Sequence, residues 1–292
     1  MMLPVCRSIM FVPSHIQKMI EKIPFANADC ICLDLEDAVP NGMKETAREK
    51  IKQYLDSDIC KNDRTFVRVN PIETGMTLAD VVATASKTLR GYIYPMCKNP
   101  EDIISFSAQL RLIEMQNGIP ENHFEIIPLI ETPEAVEKLY QIASCSKRIT
   151  GLLFGCEDYL AAIGAIHMEN DVSIQYARSK IIGVAKSCNI LAIDTPYVKV
   201  KDDEGLLLFA TRAANMGMDG MLTLSPLQTQ IANEIYSPSN DEVEYARSVI
   251  EAKSEAENQS RGVIIHQGKF ISPPTIKAAE KLIRKYKKIQ EW

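Results

Sequence analysis

The chain has no apolar run approaching the roughly 20 residues that span a bilayer, so a membrane partner is excluded. Residues Met1 to Pro13 have neither the basic start nor the long apolar core of a secretory signal. Together these absences set the expectation of a cytoplasmic protein. Positive charge is in deficit as well, with 33 Lys and Arg against 38 Asp and Glu. No basic excess is left to neutralise phosphates, which excludes nucleic acid as a partner and favours small molecules. Histidine is scarce: His15, His123, His167 and His266 form no i, i+3 or i, i+4 pair, the spacing that would put two zinc ligands on one helical face. Cysteine is not scarce, but C-x-x-C is absent. The eight cysteines lie mostly in apolar segments and read as reduced core residues. Internal repeats and low-complexity segments are absent too.

What is present is a recurring pattern. Eight short β-rich runs, IMFVP (9–13), CICLDLE (30–36), RTFVRVN (64–70), GYIYPM (91–96), FEIIPLIE (124–131), ITGLLFG (149–155), ILAIDTP (190–196) and GMLTLSP (220–226), are spaced to leave room for a helix between them. Most are continuously apolar, as parallel strands covered on both faces must be. The intervening segments, such as KMIEKIPFA, KETAREKIKQYL and PEAVEKLYQIA, have helical composition. The expected fold is an α/β (β/α)8 TIM barrel over residues 1–226, a length that such barrels occupy as one domain. Residues 227–292 form an appendage: a charged helix, a hairpin in GVIIHQGKFI with Gly268 at its turn, and a basic helix whose Lys277, Lys281, Arg284, Lys285 and Lys288 read as a solvated face. An arm that follows a closed barrel has a neighbouring subunit to pack on, so a homo-oligomer is expected.

Barrel active sites lie at the C-terminal ends of the strands. Those ends carry Glu36 and Asp37, Arg68 and Asn70, Glu131 and Thr132, Glu157 and Asp158, and Asp194. Acids converging on one mouth repel each other unless they are protonated or bridged by a cation. Oxygen donors favour Mg2+, with Mn2+ as a substitute, and Mg2+ takes only one or two protein carboxylates. Glu131 and one of Glu157 and Asp158 suit that role. The competing reading makes Asp158 and Thr132 helix N-caps and Arg68 a structural ion pair with these same acids.

The motifs RSIMFVP (7–13), LDLEDAVP (33–40) with Lys44 and Arg48, RVN (68–70), PLIET (128–132), FGCEDYLAAIG (154–164), YARS (176–179), AID (192–194) and KDDEGL (201–206) carry a resemblance. In this order they resemble the citrate lyase β-subunit-like proteins of the HpcH/HpaI aldolase superfamily, which also holds the malyl-CoA and citramalyl-CoA lyases. The resemblance runs from about Arg7 to about Pro274. It implies a TIM-barrel, Mg2+-dependent carbon–carbon lyase that splits a malyl, citramalyl or citryl thioester into a keto acid and an acyl thioester. It further implies metal ligands at Glu131 and Asp158, a substrate-carboxylate arginine at Arg68, and catalytic acids at Glu36 and Asp37. Glu157 then supports Asp158, the backbone N–H groups from Gly155 to Asp158 hold a substrate carboxylate oxygen, and the assembly is a homotrimer or hexamer, here expected as a trimer.

The chain also departs from the pattern. Pro95-Met96 stands where the family often has P-K, Met221 and Ser225 stand at its lysine and histidine of strand eight, and Ser272 stands at an aspartate that works in the neighbouring subunit's site. A serine has no basicity comparable to a carboxylate. Two alternatives therefore stay open: a metal-dependent aldolase acting on a free hydroxy-keto acid, and a keto-acid-binding subunit without turnover.

Overall fold

The computed structural model describes residues 5–60, 64–168, 170–258, 265–266 and 268–291. Eight parallel strands close into a barrel: β1 (Ser8–Pro13), β2 (Cys30–Asp34), β3 (Thr65–Arg68), β4 (Gly91–Tyr94), β5 (Glu125–Ile130), β6 (Gly151–Phe154), β7 (Leu191–Asp194) and β8 (Gly220–Thr223). The ring is sealed where β8 pairs with β1 at Ser8 and Met221. Each expected run contains one strand, and the TIM-barrel expectation holds.

Both faces of these strands are buried, which explains why they are not alternately polar. The barrel interior is filled by Cys6, Ile9, Cys30, Cys32, Phe66, Ile93, Ile127, Leu129, Leu153, Leu191, Ile193 and Leu222. Alternate residues face outward. Tyr92 of β4, for example, packs edge-on against Phe106 of the helix Pro100–Gln116, with ring centroids 5.9 Å apart. The two-residue period of a strand carries the inward series up to the mouth. Cys32 is followed by Asp34, Phe66 by Arg68, and Leu129 by Glu131.

The same period removes Asp194 from the mouth. Ile193 fills the interior, so Asp194 points outward. There its carboxylate takes Nε and Nη2 of Arg178 at 3.1 and 2.8 Å, with both side chains wholly buried. The strand-end acid is the anchor of the helix Val172–Cys188 rather than a site residue. The segment KMIEKIPFA also differs from a regular helix: it forms one turn at Gln17–Ile20 and a 3-10 turn at Ile23–Phe25. Pro24 lacks an N–H to donate to the carbonyl of Ile20 and its ring crowds that carbonyl, which keeps the first turn from extending through it.

The chain divides into two compact units, Met1–Glu234 and Ile235–Trp292. The helix Pro226–Ile235 thus counts almost wholly with the barrel. Within the second unit the helices Asn240–Asn258 and Pro273–Gln290 meet through Ala246, Val249, Ile250, Ile276 and Ala279. Between them the antiparallel pair Ile265–His266 and Lys269–Phe270 turns at Gly268, whose φ of +72° suits a residue without a side chain. Among the described residues, no helix is long and apolar enough to cross a membrane.

The buried Arg178 predicts a measurable cost. Asp194→Ala leaves the guanidinium Asp171 as its acidic partner, and is expected to lower the unfolding free energy by about 3 kcal/mol in a urea titration.

Candidate active site at the barrel mouth

Asp34 and Arg68 end adjacent strands and are register partners. Asp34 accepts Nε and Nη2 of Arg68 through its two oxygens, both at 2.7 Å. Asp34 also accepts the N–H of Glu36 at 3.0 Å and of Ala38 at 3.3 Å, which bends the chain after β2 back over the mouth. That bend brings Glu36 within 2.5 Å of Arg68 Nη1, with Asp37 farther out at 3.9 Å. The Phe11 ring lies under the guanidinium, 4.8 Å from centroid to Cζ. Arg68 is therefore fixed by a bidentate acid, a second acid and an aromatic face. Sequence reading missed Asp34, although its even spacing from Cys30 and Cys32 marks it as inward-facing.

The family-motif residues Lys44 and Arg48 hold this loop rather than the mouth. Lys44 Nζ donates to the carbonyls of Leu35 and Glu36 at 2.7 and 2.8 Å. Arg48 Nε donates to Asp80 at 2.8 Å, and Asp80 in turn accepts both the backbone and the side-chain N–H of Asn70 at 2.7 Å. Asn70 is thus committed to the loop framework.

Glu131 ends the inward series of β5 and is buried. Its Oε1 accepts the N–H of Met96 at 2.5 Å, a bond made possible by the left-handed Met96 backbone (φ +50°) at the end of β4. The other oxygen faces Gly155. A Cβ built there would lie 2.8 Å from Glu131 Cβ and 2.9 Å from Oε2, so only glycine leaves room for this carboxylate. Thr132 caps the helix Pro133–Glu137, accepting Ala135 N–H at 3.1 Å.

Asp158 is not a cap. The helix Cys156–Ile163 begins with Gly155 at the cap, which puts Asp158 in the first turn with its carboxylate exposed. Its negative charge acts on both Glu36 and Glu131. The N–H of Gly155 is already given to Ile130 O at 3.0 Å and that of Cys156 to Thr195 Oγ1 at 3.2 Å. Any carboxylate held by this turn would have to use the N–H groups of Glu157 and Asp158, which have no partner within a helix at this position. Glu157 turns toward Cys156 and His167 instead, with Oε1 3.5 Å from the sulfur and 3.7 Å from Nδ1.

The electrostatics follow from several acids gathered near Arg68. Burial pushes Glu131 up to about 8, with the charges of Glu36 and Asp158 adding to it against the Met96 hydrogen bond. Burial likewise pushes Glu36 up to about 7; Arg68 opposes this, but Asp34 already engages that guanidinium by two bonds. Desolvated hard-oxygen donors with surplus negative charge fit a divalent cation of the Mg2+ or Mn2+ kind. The carboxylates of Glu36, Glu131 and Asp158 do not all come within 4.8 Å of one another. Such an ion would thus take one or two of them directly and complete its shell with water or substrate.

The departures from the family pattern all have structural employment. Met221 is fully buried beside Ser8 of β1. Ser225 accepts Gln228 N–H at 3.2 Å at the start of its helix. Ser272 caps Pro273–Gln290, accepting Thr275 N–H at 3.4 Å.

A closed parallel barrel that gathers carboxylates around Arg68 at its C-terminal mouth defines a TIM-barrel protein of enzymic type. The chain belongs to the HpcH/HpaI aldolase/citrate lyase family, whose model matches residues 7–226. It is 30% identical to the citrate lyase subunit beta of Haemophilus influenzae over 96% of this chain and 97% of that one. It is 31% identical to the human mitochondrial citramalyl-CoA lyase over 98% of this chain and 86% of that one. Its fold matches the crystal structure of CitE from Mycobacterium tuberculosis in complex with magnesium, acetoacetate and coenzyme A, at TM-score 0.73 and 24% identity over 97% and 98% of the two chains.

Two outcomes are expected. Gly155→Ala displaces the Glu131 carboxylate and costs about 1–3 kcal/mol of stability, read from chemical denaturation. The second concerns pH. Glu131 and Glu36 hold their protons above the ordinary value of 4.5, so between that pH and about 8 the folded chain binds more protons than the unfolded one. Stability of the metal-free protein therefore falls as pH rises through this window. Glu131→Gln keeps the Met96 hydrogen bond and removes the ionisation, flattening the slope and adding on the order of 2 kcal/mol at the alkaline end. An unchanged slope would show that Glu131 ionises freely.

Proposed function

We propose that the chain is a Mg2+-dependent carbon–carbon lyase of the cytoplasm that splits a short 3-hydroxyacyl-CoA, of the malyl, citramalyl or citryl type, into a keto acid and an acyl thioester. The observation that carries this reading is the gathering of two buried carboxyls, Glu36 and Glu131, and the exposed carboxylate of Asp158 near the oriented cation Arg68. The likeness to a citrate lyase subunit and a citramalyl-CoA lyase supports the choice of substrate class.

Glu131 and Asp158 would hold the Mg2+ ion, which when bound polarises the oxygen that becomes the ketone. Arg68 orients the acid fragment. A guanidinium has five N–H donors. Asp34 takes two by hydrogen bonds and Glu36 makes a charge contact at Nη1, leaving the remaining N–H groups of the two Nη atoms for the substrate carboxylate. Locked by Asp34 and Phe11, the fork pays little entropy when it meets that carboxylate. Glu36, pushed up to about 7, is matched to accept a proton near neutral pH. It takes the hydroxyl proton as the carbonyl forms. The carbon–carbon bond breaks, its electron pair passes to the thioester as an enolate, water protonates the enolate at carbon to give the acyl thioester, and Glu36 returns its proton to solvent. Asp37, exposed and 3.9 Å from Arg68, adds its field at the rim.

Ser272 supports a second reading. Engaged as a helix cap, it supplies no proton-transferring group. A protein that grips a keto acid without turnover has no use for one, and an aldolase acting on a free hydroxy-keto acid would have to draw the proton for its enolate from solvent. We also propose a homotrimer, supported by two apolar side chains left exposed on the hairpin of the second unit, Ile265 and Phe270.

A turnover assay against malyl, citramalyl and citryl thioesters and free hydroxy-keto acids separates these readings. The lyase reading expects Mg2+-dependent cleavage of a thioester, abolished by EDTA and by Asp158→Ala, and lowered about 100-fold by Arg68→Lys, which loses the fork. Cleavage of free acids alone would establish the aldolase. Oxaloacetate binding without turnover would establish the binding protein. Light scattering on a sizing column tests the assembly, and a mass three times that of the chain is expected.

A further inference from the structure

Beside the mouth, the loop that follows Cys156–Ile163 folds back and delivers His167 to the first turn of that helix. Cys156 Sγ, a Glu157 carboxylate oxygen and a His167 ring nitrogen lie within 4.8 Å of one another, the one group of three such ligand atoms among the described residues. Histidine spacing alone does not reveal it, because the partners of His167 are a cysteine eleven positions earlier and a glutamate ten positions earlier.

The separations have the size of a coordination shell. Zinc binds thiolate at about 2.3 Å and nitrogen or oxygen at about 2.0–2.1 Å in a tetrahedron, which places sulfur about 3.5 Å from oxygen and oxygen about 3.3 Å from nitrogen. Here Sγ is 3.5 Å from Glu157 Oε1, and that oxygen is 3.7 Å from His167 Nδ1. The ring is also oriented from behind. Nε2 meets Asp171 Oδ1 at 3.4 Å, and Asp171 is itself anchored by Arg178 at 3.1 Å and Arg212 at 2.7 Å. A carboxylate behind the imidazole, fixing the proton on Nε2, is the usual arrangement for a metal-bound histidine. With the proton on Nε2, the Nδ1 lone pair faces the Glu157 oxygen at 3.7 Å. Phe209 packs edge-on against the ring, with centroids 5.6 Å apart, and restricts its rotation.

We infer that Cys156, Glu157 and His167 form a second metal site, separate from the carboxylates of the mouth, that takes Zn2+ or a similar borderline transition ion and leaves its fourth position open. The ligand chemistry separates the two sites: sulfur and imidazole select zinc-like ions, and all-oxygen sites select magnesium. Binding converts the Cys156 thiol to a thiolate and releases its proton to solvent; thiolate and carboxylate then balance the ion's charge. Because Glu157 and Asp158 are consecutive, an ion here also fixes the turn that carries Asp158.

Cobalt titration tests this without reference to activity. With Mg2+ saturating, one equivalent of Co2+ is expected to produce a thiolate-to-cobalt charge-transfer band with tetrahedral visible bands, and Zn2+ displaces it. The signal is lost in Cys156→Ser and weakened at least tenfold in affinity in His167→Gln, while Glu131→Gln leaves it unchanged. Far-ultraviolet dichroism confirms that each variant is folded. Absence of the band would overturn the inference and leave His167 as a structural contact between Glu157 and Asp171. So would a band that survives His167→Gln, or one lost in Glu131→Gln, which would put the ion in the mouth.

Discussion

The bidentate pair of Asp34 and Arg68 ties the ends of β2 and β3 together at a register position, and the electrostatics of the mouth take their form from it. Two of the guanidinium's donors are spent on one carboxylate, and Asp34 spends its remaining acceptor capacity on the backbone of the loop that carries Glu36. Glu36 therefore arrives at a cation that is already neutralised. Glu131 stands further off, where burial outweighs the attraction of Arg68. The result is a pocket short of positive charge by design of its connectivity, with two carboxyls pushed to about 7 and about 8. A divalent ion and a carboxylate-bearing ligand are complementary to it: the ion relieves the acids, and the free side of Arg68 meets the ligand.

The barrel makes this arrangement inexpensive to build. Parallel strands of period two send every second residue inward, so the side chains that fill the interior below also determine which residues appear above. Phe66 precedes Arg68 and Leu129 precedes Glu131 on the same face. The acids do not have to be brought together by loops alone. The tolerance is small, however. At β6 the inward position next above Leu153 is Gly155, and a single carbon there would meet Glu131 at 2.8 Å.

This periodicity also explains what could be read in advance. All eight strands and the closing hairpin were legible, because continuous apolar runs and a turn glycine are local signals. The strand-end acids were harder to sort. Proximity to a strand end placed Asp194 with the site and passed over Asp34, whereas parity reverses both: Asp34 follows Cys32 inward, and Asp194 follows Ile193 outward to Arg178. That Glu157 and Asp158 face different surroundings follows from the helix start, since the first turn sends consecutive side chains in directions about 100° apart. The Cys156–His167 approach was beyond any pattern, because it depends on a loop returning to the helix it has just left. The KMIEKIPFA segment failed for a local reason, one proline weighed too lightly.

The residues that depart from the family pattern bear on how the chemistry is divided. Met96 gives its backbone N–H to Glu131, Met221 fills the layer behind β8, and Ser225 and Ser272 cap helices. Each has a structural use that its side chain or backbone satisfies without a charge. None of them removes a group from the cluster of Arg68, Glu36, Glu131 and Asp158. On the proposed reading, the half of the site that grips the keto-acid fragment is thus independent of these changes. They bear instead on the thioester portion and on the proton that completes the product. Those two demands can be met differently, by a substrate with another tail or by solvent. The demand for opposed charge at the mouth has no such substitute, because a buried carboxylate left without a cation must either keep its proton or be expelled.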